Sequence, residues 1–364
     1  MSNFRNYEKL DLKLGGSVNL FLGNNAQGKT NLLEAVEVAA TSRSHRTNRD
    51  SELVRWGQDG YYIKARFRLN GSHSIAEVGY SPGRGRIIRI DGAPPDNPGE
   101  YRVAGAVFFG PDDLQIIKGP PSGRRKLIDT QAAHIYPGFR SEAASFARIL
   151  NQRNWALRGG SRVENHSDLD VWDEQFAVAS ARIMNRRIAT LMELRPILKA
   201  VYKRLAPDGD LEIRYLPSMM IENDSSPVTV ESLRSQVEER RADDLARRVT
   251  TAGPHRDDFL ICLNDVDIRV YGSQGQQRSA VLALKLAELE LASRLRESPP
   301  ILLLDDVFSE LDLGHRMALA AAVRDTAQTF VTCTDLDTIP QCLCGAFIFR
   351  VEGGSVHPAS SHTS

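Results

Sequence analysis

Eight consecutive residues, Gly23, Asn24, Asn25, Ala26, Gln27, Gly28, Lys29 and Thr30, satisfy the G-x-x-x-x-G-K-[ST] pattern of a phosphate-binding loop (P-loop). Gly23 and Gly28 let the chain bend without a Cβ clash, so that backbone N–H groups can point at phosphate oxygens. Lys29 supplies a cation for the β- and γ-phosphates, and Thr30 a hydroxyl for Mg2+. The helix that should follow adds the positive end of its dipole. Far along the chain, Ile301-Leu-Leu-Leu-Asp-Asp306 ends an apolar run on two carboxylates. Asp305 is placed to hold the Mg2+ shell, and Asp306 is the candidate to polarise an attacking water. Before it come Ser273, Gln274, Gly275 and Gln276, which open a long helix. A serine hydroxyl beside the free N–H groups of a helix start makes an anion site. A structural glycine turn, or a strand ending in a turn, would account for each segment singly. It does not account for all three in this order.

The order is that of an ABC-type ATPase, in which a long insertion separates the P-loop from its partner motifs. It points to a switch driven by ATP. In that arrangement Ser273 lies too far from the P-loop of its own chain and serves the nucleotide of a second subunit. ABC ATPases usually carry glutamate where Asp306 stands. Aspartate is one methylene shorter, which favours slow turnover.

The elements that must position these residues are legible in part. Residues 17–22 read as a strand feeding the P-loop, and Asn31 to Ala40 as a helix with Leu32, Leu33, Val36 and Val38 on one side. Residues 60–92 alternate in polarity, as in Tyr62-Ile-Lys-Ala-Arg-Phe-Arg-Leu69, and carry turn signals at Asn70-Gly71, Pro82-Gly83 and Asp91-Gly92. They predict a small antiparallel sheet. Pro94, Pro95 and Pro98 mark a loop. After Pro120-Pro121 the pattern turns helical to about residue 206, with Pro196 expected to kink the last helix. Gly159 to Ser167 could join two antiparallel helices. This stretch reads as an inserted helical arm or, equally, as an ordinary helical subdomain. Leu211 to Leu216, Phe259 to Leu263 and Asp267 to Tyr271 read as strands, Val230 to Arg248 and Gln276 to Glu297 as helices. Ile301 to Leu304 reads as a central parallel strand, with Phe330 to Thr332 and Phe347 to Val351 completing the sheet. Gly353 to Ser364 read as disordered. The fold class is therefore α/β, an ABC-type P-loop ATPase head with a mixed sheet plus an inserted helical arm domain. The head takes residues 1–123 and 249–364, and the arm 124–248.

With 364 residues, 46 basic and 46 acidic side chains and a formal net charge of zero, any nucleic-acid surface must be a local patch. Basic runs lie at Arg43 to Arg49, Arg84 to Arg89, Arg124-Arg-Lys126 and Arg240-Arg241. Contact with a DNA backbone is one reading of each, and a solvated surface or packing against acidic neighbours is the other. The first ten residues have no apolar segment of a signal peptide, and no apolar run is long enough to span a bilayer. Four cysteines fit a reducing cytosol and are read as inert thiols, since Cys333, Cys342 and Cys344 lack the spacing of a zinc site. His45 and His255 are read as polar contacts.

With these residues in hand, the chain resembles the RecF family of bacterial recombination and DNA-repair ATPases over nearly its whole length. The likeness rests on Asn3-Phe-Arg-Asn-Tyr7, the P-loop through Glu34, Ser42-Arg-Ser-His-Arg46, Gly110-Pro-Asp-Asp-Leu114 and Arg124-Arg-Lys-Leu-Ile-Asp129. It continues through Gly253-Pro-His-Arg-Asp-Asp258, Tyr271-Gly-Ser-Gln-Gly-Gln-Gln-Arg278 and Leu303-Leu-Asp-Asp-Val-Phe-Ser-Glu-Leu-Asp312. The resemblance implies a cytoplasmic, ATP-dependent DNA-binding protein of repair, replication restart and the SOS response. It implies a homodimer closed around two ATP molecules that helps load RecA at gapped DNA with RecR and RecO. It also implies that Ser273 caps the partner's γ-phosphate and that Ser309 to Asp312 form a dimer-contact loop. The switch histidine of ABC ATPases is absent, with Thr334 near its place, and Asp112 or Gln115 stands where a glutamine loop would. Slow, DNA-stimulated hydrolysis is expected. A transporter ATPase subunit and a metabolic P-loop kinase are the alternatives. The helical insertion and the lack of Leu-Ser-Gly-Gly-Gln disfavour the first, and the signature helix disfavours the second.

Overall fold

The structure, a computed structural model, describes residues 1–359 except 70, 97–100, 102, 160–166, 224–225, 296–298, 324–325, 327 and 344. Asn70, Pro98, Cys344, most of the expected Gly159–Ser167 connection and residues 360–364 lie outside the described set. The chain divides into two compact units, Met1–Leu114 with Val281–Ser364, and Gln115–Ala280.

The first unit is built on a six-stranded mixed sheet in the order Ser355–Pro358, Phe347–Glu352, Val18–Leu22, Gln328–Cys333, Ile301–Asp305, Ala106–Phe109. Only the first pair is antiparallel. Ile301–Asp305 has parallel neighbours on both sides and is buried along its whole length, which is why its sequence is a continuous apolar run. A second, antiparallel sheet has the order Tyr7–Lys9, Ser2–Phe4, Tyr61–Leu69, Ser72–Ser81, Gly85–Ile90. The helix Lys29–Thr41 serves both cores. Leu32, Leu33 and Ala40 pack with Phe21, Leu303 and Phe330 of the mixed sheet, whereas Ala35, Val38 and Ala39 pack with Phe4, Ile63 and Val78 of the antiparallel one. Held on two faces, this helix gives the P-loop a rigid base.

Two expectations change here. Residues 353–359 are ordered, because Gly353 and Gly354 adopt left-handed φ of 55° and 79° and turn the chain into a hairpin with Phe347–Glu352. Asp267 to Tyr271 is not one strand. Val266–Asp267 pairs with Asp258–Leu263, and Ile268–Tyr271 is then a helical turn that Asp267 caps by accepting a hydrogen bond from Arg269 N at 2.8 Å.

The second unit has the helices Gln115–Lys118, Pro121–Ile135, Phe139–Leu157, Ser167–Leu205 and Val230–Arg247 beside the sheet Val266–Asp267, Asp258–Leu263, Leu211–Leu216. The 39-residue helix Ser167–Leu205 carries Pro196 within it. The long helix Gln274–Arg294 is hereafter the signature helix. Among the described residues no helix is long and apolar enough to cross a membrane.

Candidate nucleotide site

The P-loop links the end of Val18–Leu22 to the helix Lys29–Thr41. A Cβ on Gly23 would lie 2.4 Å from the carbonyl oxygen of Val351, and Gly28 has φ 110° with Asn6 Nδ2 2.5 Å from its would-be Cβ. Both glycines are therefore demanded by close approach. Asn24, Asn25 and Ala26 are exposed on the outside of the bend. The bend is braced from several sides. Asn6 Nδ2 donates to Gln27 O at 3.2 Å and Tyr7 Oη to Gly28 O at 3.0 Å. Gly354 N donates to Gln27 O at 3.2 Å, and Gly353 N to Gln27 Oε1 at 2.7 Å. Asn6 and Tyr7 stand in the Asn3–Tyr7 segment that carries the family resemblance, and nothing in the sequence marked them or the hairpin at Gly353-Gly354 as braces of the P-loop.

Lys29 is buried, and its Nζ donates to the carbonyls of Gly23 at 2.5 Å and Asn24 at 2.9 Å. Burial pushes its pKa below the ordinary lysine value, and Asp306 and Asp305 oppose that shift. Thr30 Oγ1 donates to Asp305, at 2.7 Å from Oδ2 and 3.0 Å from Oδ1. Thr332, on the neighbouring strand, donates its hydroxyl to Asp305 Oδ1 at 2.7 Å and accepts from Asp306 N at 2.9 Å. The hydroxyl beside the carboxylates is thus Thr332, whereas Thr334 is exposed. Asp306 leaves the strand in the left-handed region, φ 52° and ψ 25°. Burial raises the pKa of its carboxyl; Lys29 opposes and Asp305 adds to that shift. The thiol of Cys333 is likewise pushed up to about 11, mainly by burial.

Next to Asn6 a groove of about 550 Å3 opens, lined among others by Asn31, Arg46, Arg55 and Trp56. Asn31 Nδ2 donates to Asn6 Oδ1 at 2.8 Å, and Arg46 Nη1 to Asn31 Oδ1 at 2.9 Å. Glu34, whose side chain is fully buried, accepts from Arg5 at 2.7 and 2.8 Å and from Ser44 at 2.5 Å. Burial works against its charge, but the Arg5 and Ser44 hydrogen bonds prevail and hold the carboxyl below its ordinary value. Arg46, read from sequence within a basic run, stands at the rim of the P-loop. Trp56 is 98% exposed on the turn closed by Gln58 N donating to Arg55 O.

At the other motif, Ser273 and Gln276 form a capping box. Gln276 N donates to Ser273 Oγ at 3.2 Å, and Ser273 N donates to Gln276 Oε1 at 2.8 Å. Ser273, Gln274, Gly275 and Gln276 are all exposed, as are Val270 and Tyr271. After Asp306, Ser309 Oγ donates to Asp306 O at 2.7 Å, and Asp312 accepts from His315 N at 3.0 Å. Ser309, Glu310 and Asp312 are exposed.

Not every motif is a surface. Arg124 is buried and donates to Asp258 at 2.7 and 3.0 Å and to the carbonyls of Ile116, Ile117 and Gly119. Arg125 donates to Asp257 O at 2.6 Å. Arg124 is an interior fastener and the half-buried Arg125 holds a backbone carbonyl, so for these two the packing reading of the run fits and the DNA-patch reading does not. Asp257, fully buried, accepts from Tyr215 Oη, from Ser218 N at 2.7 Å and Oγ at 2.9 Å, and from Arg187 at 3.4 Å. The segment Gly253–Asp258 therefore ties the helices of the second unit to its sheet.

The comparisons with known proteins agree in direction. A family model described as an AAA domain matches residues 1–92. The chain is 36% identical over 368 residues to the DNA replication and repair protein RecF of Heliobacterium modesticaldum, covering 98% of this chain and 97% of that protein. The chain belongs to the RecF family. The RecF of Symbiobacterium thermophilum is 39% identical over 367 residues, covering 97% and 95%. A solved structure of the recombination mediator protein RecF-ATP in the RecFOR pathway superposes with a TM-score of 0.87 at 33% identity, covering 99% of this chain and 96% of that one. An Smc head bound to the C-winged helix domain of ScpA, 15% identical with a TM-score of 0.51, shares the fold alone.

Proposed function

We propose that this RecF-family chain is an ATP-dependent DNA-binding switch of recombinational repair, replication restart and SOS induction. It acts in the cytoplasm, where ATP closes a homodimer that helps load RecA at gapped DNA with RecO and RecR. One observation carries the chemical half. Thr30 and Asp305 are 275 residues apart in sequence and share hydrogen bonds at the P-loop. A hydroxyl and a carboxylate facing one another are hard oxygen donors that suit Mg2+. When bound, the ion would neutralise phosphate charge. Lys29 would exchange two backbone carbonyls for phosphate oxygens. Asp306, with its proton affinity raised by burial, is the base beside the attacking water. The name of the relatives as DNA replication and repair proteins, and the ATP form of the solved RecF, support the biological half.

In this reading the groove beside Asn31 takes the base and ribose, with the Trp56 ring as the stacking platform. Trp56→Ala should weaken ATP binding by about 1–3 kcal/mol, the worth of one base–aromatic stack. Binding of inorganic tripolyphosphate should stay unchanged. Calorimetry with both ligands measures this, and equal loss for both would move the base elsewhere.

Strand register supports one sheet face as the DNA surface. Lys64, Arg66 and Arg68 alternate outward along Tyr61–Leu69, and Arg89 faces the same way across Glu77. Four cations on one sheet face suit a phosphate backbone. Removing Arg66 and Arg68 together should lower the slope of log affinity against log salt by about 1.8, at 0.9 per phosphate contact on duplex DNA, and leave ATP affinity alone. An unchanged slope in fluorescence anisotropy titrations would reject this face. DNA that fails to bind at any ATP concentration would reject the function itself.

A further inference from the structure

We propose that Lys285, in the middle of the signature helix and outside every ATP-binding motif, is a positioning residue that holds the Gly110–Asp113 turn against Asp305, so that ATP hydrolysis depends on the register of that helix. The inference rests on the ATP-site reading above.

The geometry starts from an anomaly of burial. Lys285 is only 7% exposed, and Glu288, one turn on, only 4%. Lys285 Nζ donates to Glu288 Oε2 at 2.7 Å and lies 3.7 Å from Asp113 Oδ1. Glu37 on the P-loop helix adds a third carboxylate to the field, and together the acids hold the lysine above its ordinary pKa despite burial. Burying such a cluster is expensive, and apolar side chains of similar volume would pack the same space at no less stability. What the charges supply is a fixed register between the signature helix and the Gly110–Asp113 turn.

Each arm of the cluster leads to the catalytic strand. Asp113 Oδ2 accepts from Gly110 N at 2.9 Å, and Asp113 N donates to Gly110 O at 3.0 Å, which closes the turn. Gly110 directly follows Ala106–Phe109, the parallel partner of Ile301–Asp305. A Cβ on Gly110 would lie 3.6 Å from Asp305 Cβ and 2.8 Å from the Phe108 ring, so the turn has little room to slide without meeting them. On the second arm, Glu37 Oε2 accepts from His45 N at 2.9 Å, and the His45 ring stacks on Phe108 with centroids 3.5 Å apart. A shift of Lys285 along its helix therefore reaches the turn that flanks Asp305. Asp112 or Gln115 reads as standing in the place of a glutamine loop; the residue that closes this turn is Asp113.

The test compares Lys285→Gln/Glu288→Gln, a neutral pair of near-equal volume, with Lys285→Arg and with wild type. ATP affinity is read by titration with a fluorescent ATP analogue, and hydrolysis by single-turnover kinetics. We expect the neutral pair to bind ATP within about threefold of wild type while hydrolysis slows at least tenfold, and Lys285→Arg to restore most of the rate. Should the neutral pair fold poorly, Asp113→Asn keeps an acceptor for Gly110 N, removes the charge, and should show the same split. Unchanged hydrolysis in the variants overturns the proposal. So does parallel loss of affinity and rate together with a lowered melting temperature, which is the pattern of a core staple. Wild-type protein that binds no ATP would instead overturn the ATP-site reading, and this inference with it.

Discussion

Replacing Lys29 by methionine should abolish ATP binding at working concentrations and leave the fold at least as stable as before. Both halves follow from the same side chain. Charge-assisted bonds from one ammonium to phosphate oxygens are worth about 2–4 kcal/mol, which corresponds to roughly 30- to 1000-fold in affinity. Among the described residues, Lys29 Nζ donates to the carbonyls of Gly23 and Asn24, and burial lowers its pKa against the opposing charges of Asp306 and Asp305. A lowered lysine pKa means that the folded chain binds that proton less well than the unfolded chain does. Below the lowered folded value the charge therefore opposes folding in full, and the opposition fades as pH rises from that value to the unfolded one. Methionine removes the penalty and fills the same space. Calorimetric titration with Mg-ATP, paired with a melting curve, decides the matter. Normal affinity in a well-folded variant would refute the P-loop assignment, and collapse of the melting transition would refute the stability argument.

Ser273→Arg should eliminate ATP-driven dimerisation while the monomer still binds ATP. The Ser273 hydroxyl uses a lone pair to accept from Gln276 N, which leaves its own proton available to an external acceptor such as a phosphate oxygen. One hydroxyl can therefore cap its own helix and a partner's nucleotide together. Arginine loses the cap, about 1 kcal/mol of local stability, and sets a cation on the positive end of the signature helix. Closing a dimer over that cation should cost on the order of 3 kcal/mol or more, beyond about 100-fold in the dimer constant. Ser273→Asn, which still caps, separates the two effects, since it should keep the melting temperature of wild type. Analytical ultracentrifugation with ATP and with ADP is the measurement, and ADP should not support the dimer. A Ser273→Arg protein that dimerises normally with ATP would reject the shared-nucleotide arrangement even if the P-loop assignment survives.

The local parts of the site were readable because local chemistry fixes them. Gly23 and Gly28, the buried run ending at Asp305 and the exposed serine at a helix start each carry their reason within a few residues. What escaped depends on tertiary approach. Tyr7 and Asn6 brace the P-loop only because Ser2–Phe4 and Tyr7–Lys9 fold back beside it. Gly353-Gly354 looked like part of a polar tail, yet its two positive φ angles make the hairpin that grips Gln27. Charge was the least reliable guide. Arg124 reads as surface in any composition count and is interior because Asp258 meets it there. The alternation Lys64, Arg66, Arg68 was visible as strand periodicity, and its meaning as one basic face needed the register with Arg89.

The backbone at residue 306 also limits how this protein can change. Its φ of 52° belongs to a region that short polar side chains such as aspartate and asparagine tolerate and that longer or branched ones occupy with strain. Lengthening the acid to glutamate, the residue usual in ABC ATPases, is then more than a change of reach. It asks the chain to hold a larger side chain in a left-handed bend that is fixed on one side by Thr332 and on the other by Ser309. On the proposed function, the reach of the carboxylate and the shape of that bend go together, so a change at residue 306 has to be sought with residues 306 to 309 as a unit.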